Sequence, residues 1–112
     1  MKIAVSSDGS KLDDKVSEFF GRANYILIIE TNKSEVKLLK AIENASKDQR
    51  GGAGIACAEK IASENAEVVI TGNLGPRAMD ALKQFGIKSY KGQGTVKESV
   101  KLLGEGKLQI IG

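Results

Sequence analysis

The 112-residue chain contains no histidine and no tryptophan, and only one cysteine (Cys57) and one proline (Pro76). Without histidine it lacks the commonest general base and the commonest transition-metal ligand. With one thiol besides, a side-chain zinc site, a side-chain-ligated iron–sulfur site and a Ser-His-Asp triad are excluded within a single chain. A lone cysteine also forbids an internal disulfide and suits a reducing compartment. Aromatic residues are scarce at 4%, and the lysines are scattered rather than grouped, so the basic stripe with stacking platforms of a nucleic-acid surface is missing. No apolar run approaches a membrane span, and Ile3-Ala4-Val5 is too short for a signal-peptide core. The expectation is a cytoplasmic protein with neither a nucleic-acid nor a membrane partner.

What is present fits one domain spanning residues 1–112, with 41% hydrophobic and 28% charged residues. The formal charge of +3 (17 basic, 14 acidic) mildly favours an anionic partner. Residues 2–6 read as a short buried strand ended by Asp8-Gly9. The run Tyr25–Glu30 reads as a strand covered on both faces, joined by a tight turn at Asn32-Lys33 to a strand over Glu35–Ile42. Residues 43–54 are polar and aperiodic and read as a mobile loop.

A helix is expected from Ala53 to Asn65, with Ile55, Ala58, Ile61, Ala62 and Ala66 on its buried face and Cys57 at the edge. Val68–Ile70 is a second buried strand. Pro76 opens a helix whose core face holds Ala78, Met79, Leu82 and Phe85, and Gly86 closes it. A short strand over Ile87–Tyr90 precedes a third helix. There Thr95 and Glu98 have capping-box spacing, and Val96, Val100 and Leu103 form the buried stripe. The alternating second half requires parallel strands with right-handed crossovers. The expected product is an α/β protein, a mixed five-stranded sheet with helices on both faces.

Ligands of open α/β sheets bind beyond the carboxyl ends of the strands, where connections enter helices. Three glycine-rich segments fit that place: Gly51-Gly52-Ala53-Gly54, Gly72-Asn73-Leu74-Gly75 and Gly92-Gln93-Gly94-Thr95. Glycine lets a ligand approach the backbone, and a first helical turn offers unpaired N–H groups and partial positive charge. Arg22, beside Gly21, and Arg50 and Arg77 are the nearest cations. The candidate ligand-binding residues are therefore Gly21, Arg22, Arg50, Gly52, Gly54, Gly72, Asn73, Gly75, Arg77, Gly92, Gly94 and Thr95. The same glycines also serve simply to end strands and start helices. No segment forms a P-loop or a full Gly-x-Gly-x-x-Gly fingerprint, so a nucleotide is not indicated. Cys57, just past a first turn, has two readings: a favoured thiolate that contacts a ligand, or a small buried hydrophobe. Asp8, Asp13 and Asp14 read as solvated turn carboxylates.

The motifs Val16-Ser17-Glu18-Phe19-Phe20-Gly21-Arg22-Ala23, Gly52-Ala53-Gly54-Ile55, Gly72-Asn73-Leu74-Gly75-Pro76 and Gly94-Thr95-Val96 occur in this order. In them, to about Leu108, the chain resembles the dinitrogenase iron–molybdenum cofactor biosynthesis (nitrogenase accessory factor) family. The resemblance implies a three-layer, ribonuclease-H-like α/β/α fold with strand order 3-2-1-4-5 and strand 2 antiparallel. It implies a non-catalytic module that binds or carries an iron–sulfur or iron–molybdenum cluster transiently, with cluster-assembly proteins as partners. It also implies a departure: the family commonly has a histidine where this chain has Phe19. A monomer or weak homodimer is expected. Two other functions remain open, a protein-interaction or regulatory module and a phosphoryl-transfer or nuclease-like enzyme.

Overall fold

A computed structural model describes residues 1–33, 35–48 and 51–111. In chain order the elements are β1 (Lys2–Ser7), β2 (Tyr25–Asn32), β3 (Glu35–Glu43), α1 (Ala53–Ser63), β4 (Val68–Thr71), α2 (Pro76–Gln84), β5 (Lys88–Lys91) and α3 (Val96–Gly104). The strands form one sheet in the order β3-β2-β1-β4-β5. β2 runs antiparallel to both β1 and β3, while β1, β4 and β5 are parallel. The carboxyl ends of β1, β3, β4 and β5 therefore share one edge of the sheet, and all three helices start there.

The apolar run of β2 explains its central place: Ile26, Leu27, Ile28 and Ile29 are all buried. Ile26 and Ile28 face α1 and α2, together with Ala4, Val69, Ala58, Ile61 and Leu82. Leu27 and Ile29 face α3, together with Ile3, Val5, Ile70, Val96 and Val100. Two helices thus cover one face and one helix the other. Burying each such large aliphatic side chain contributes about 1.5–3 kcal/mol. At the β2–β3 pairing, Ile28 opposes Lys40 and Ile29 opposes Leu38, so Leu39 is an extra residue, a β-bulge. The bulge resets the alternation: Leu38 packs on the α3 side and Ile42 on the α1 side.

Two expected helix faces are corrected. In α1 the buried residues are Ala53, Cys57, Ala58 and Ile61, and Ile55 is exposed. The small residues face inward because α1 and α2 pack closely: a Cβ on Gly54 would lie 2.9 Å from that of Ala78. Phe85 is half exposed because it is the C-cap of α2, past the last helical turn, where the 3.6-residue period no longer places it. The expected capping box of α3 is present, with Glu98 N donating to Thr95 Oγ1 and Thr95 N to Glu98 Oε1, both at 3.1 Å.

Candidate functional site

Residues 15–22 lie across the shared edge of the sheet as a strap. Ser17 N donates to Ser6 O (2.8 Å), Gly72 N to Ser17 O (3.0 Å), Asn73 N to Glu18 O (2.6 Å), Phe20 N to Asn73 O (2.9 Å) and Val16 N to Gly94 O (3.0 Å). The strap covers the point where strand order reverses, between β1 and β4, which is the usual ligand crevice of an open α/β sheet. Gly72 exists for this contact: a Cβ there would come within 2.5 Å of the Glu18 carbonyl oxygen. Gly92 is likewise pressed against Val16 and Ile70. Ser6 and Thr71, at the ends of β1 and β4, are buried, and their hydroxyls have no hydrogen-bond partner among the described residues.

The strap ends at Gly21, whose φ of +87° suits glycine and whose missing Cβ admits the backbone of Gly54 at 3.0 Å. Beyond it the chain is fastened by Asn44, buried, whose Nδ2 donates to Gly21 O (3.0 Å) and Ala23 O (2.9 Å). Arg22 Nη1 donates to Lys47 O at 2.6 Å. The first part of the segment expected to be a mobile loop is thus a hydrogen-bonded turn. Arg50 lies outside the described residues.

Beside the strap, between the starts of α1 and α2, a cleft of about 390 Å³ is lined by Phe20, Arg22, Gly52, Gly54, Gly75 and Arg77 with their neighbours. Among the described residues neither helix start has a side-chain cap, and neither has an acidic residue in its first turn. Their first N–H groups and the positive ends of both helix dipoles therefore stay available for an anion. Among the described residues no carboxylate pairs with Arg77, which sits in that first turn.

Of the three glycine-rich segments, the structure brings the first together with Gly75, the last residue of the second, and with Arg77 of α2. Gly72 and Asn73 line a separate shallow groove with Lys91 and Gln109. Gly94 and Thr95 close onto Glu98 in the α3 cap. Phe20, which lines the cleft, and Ala78, which floors it against Gly54, are lining residues that the sequence does not single out. The only signal for Phe20 was an apolar residue directly before a hinge glycine. Phe19, where the resemblance implies a histidine, is exposed, pairs with Asn73 and is absent from the cleft lining.

Cys57 is buried, and burial pushes its thiol up to about 12, against a smaller opposing pull from the hydrogen bond with the Gly21 backbone. The favoured-thiolate reading is thereby corrected, because burial disfavours the charged form. Among the described residues no group of three or more His, Cys, Asp or Glu side chains could hold a metal ion. No helix among them is long and apolar enough to cross a membrane.

Known proteins share this fold. The description "Dinitrogenase iron-molybdenum cofactor" belongs to the family whose profile matches residues 1–106. An uncharacterized protein of Methanocaldococcus jannaschii is 37% identical over 110 residues, covering 97% of this chain and 90% of that one. The apo form of the orange protein from Desulfovibrio gigas superposes with a TM-score of 0.89 at 32% identity, covering 98% of this chain and 92% of that one. A Thermotoga protein of the DUF35 family superposes with a TM-score of 0.80 at 33% identity, covering 97% and 91%. By the profile, the curated relative and the shared fold, the chain belongs to the dinitrogenase iron–molybdenum cofactor family.

Proposed function

We propose that the chain is a single-domain, non-catalytic carrier of a small anionic metallocluster of the iron–sulfur or iron–molybdenum type, or of a related anion, held between the starts of α1 and α2. The observation behind this is the convergence of two uncapped helix starts on one cleft flanked by Arg22 and Arg77. Family membership supports the kind of cargo. The described lining contains no carboxylate, imidazole or thiolate to ligate a metal or move a proton. The cargo would therefore be held from outside its own coordination sphere, by N–H donors, guanidinium groups and the ring of Phe20. Such a hold is weak enough for hand-over to an assembly partner, and a reduced, unpaired cysteine accords with work in the cytoplasm.

Calorimetry tests this with a soluble thiol-complexed iron–sulfur cluster and with inorganic phosphate. Binding is expected to weaken with added salt and to fall about tenfold or more in Arg22→Ala/Arg77→Ala. Equal affinity in that variant, or no heat with either probe, would contradict the assignment.

A further inference from the structure

The opposite end of the sheet holds a second feature, independent of the cleft. Five strands spaced about 4.8 Å apart make a sheet roughly 20 Å wide, and one helix about 10 Å across covers half of it. On the α1–α2 face two helices lie side by side, but on the other face, among the described residues, α3 is the one helix, with Leu12, Val16 and Leu108 packed around it. The part left open, beside α3 at the β3 side, is a groove of about 440 Å³. Its floor is Ile3 and Val100, both buried, and its walls include Val36, 36% exposed, and Met1, 46% exposed.

The rim carries three lysines against two carboxylates, Glu35 and Glu105. Lys33, Lys97 and Lys101 border the groove, and none has a carboxylate within 4 Å among the described residues. Of the two rim acids, Glu105 is already paired with Lys107 at 3.4 Å. A second copy docking face to face would set these lysines against their own counterparts, a repulsive arrangement for a two-fold interface. A nucleic acid would find an apolar floor where it needs phosphate contacts.

We propose that this groove is a docking site for an amphipathic helix of a partner protein, its apolar face laid beside α3 and its flanks acidic. Such a helix would take the position that the second helix occupies on the other face. Its anchors would recur at i, i+3, i+4 and i+7.

The probe is a stapled peptide of about four helical turns with leucines at those positions and glutamates flanking them. A twin with lysine flanks serves as control. In amide NMR the acidic peptide is expected to shift Thr31, Val36, Val100 and Leu103, with the lysine twin at least about tenfold weaker. Val36→Asp and, separately, Lys97→Glu/Lys101→Glu should each weaken the acidic peptide about tenfold. These are exposed positions, and each variant's own spectrum reports its folding. The proposal is overturned if the groove amides do not shift, if both peptides bind alike, or if sedimentation shows a dimer that Val36→Asp abolishes.

Discussion

The starts of α1 and α2 and the start of α3 stand on the same edge of the same sheet, yet the chain finishes them in opposite ways. α3 begins with Thr95, whose hydroxyl accepts from Glu98 N while the Glu98 carboxylate accepts from Thr95 N, so its first donors are used internally. The hydrogen bonds from Thr95 hold the Glu98 carboxyl below its ordinary range. α1 and α2 begin with glycine, carry no first-turn acid, and α2 places Arg77 where a cation opposes the dipole. One start is completed by its own side chains, and among the described residues the other two are left uncapped. The strap of residues 15–22 keeps the two regions apart.

The largest expected effect comes from disturbing that strap. Gly72→Ala forces a Cβ into the Glu18 backbone and should cost about 2–3 kcal/mol in denaturant unfolding. A loss below about 0.5 kcal/mol would mean the strap yields easily and separates nothing.

A pH effect follows from Cys57, in the second turn of an uncapped helix. Its folded-state pKa lies above the free-thiol value of 9, so the folded protein holds the proton more tightly. Its contribution to stability is fully present below pH 9 and is lost as pH rises from there towards 12. Cys57→Ala should flatten that slope. An unchanged slope, or rapid alkylation of the native thiol at pH 8, would show that the dipole and not burial governs it.

Next in size, Thr95→Ala should destabilise by about 1 kcal/mol and leave anion binding untouched. The Glu98 part of that cap should fade as pH falls below 4.5, because a lowered carboxylate pKa gives stability that is lost on protonation. The smallest stability change is the most telling. Gly75 has extended backbone and open space where a side chain would go. Gly75→Asp should therefore supply the missing cap and stabilise the fold by about 0.5 kcal/mol, while weakening anion binding by competing for the same N–H groups. A gain in stability with no loss of binding would separate the cap from the site.

Much of this was legible in the residues. The hairpin, the parallel second half and the α3 cap follow from local signals: the apolar run of β2, Pro76 and Gly86 around α2, and the Thr95–Glu98 spacing. The face of α1 was not, because Ala-Gly-Ile-Ala-Cys-Ala is apolar on every side and only the closeness of α2 selects the small residues for the interior. The bulge at Leu39 has no glycine or proline to mark it. For the site, the glycine-rich turns and Arg22 and Arg77 could be singled out locally. Their division could not: whether a glycine lines the open cleft, like Gly52, or admits a strap, like Gly72 and Gly92, depends on a chain segment more than fifty residues from the latter two.

The most direct measurement is an amide NMR titration of the wild-type chain with the thiol-complexed iron–sulfur cluster in its diamagnetic state. Shifts in residues 53–55 and 77–78, with 96–98 unmoved, are the predicted result. Equal shifts at 96–98, or none at either uncapped start, would contradict the account.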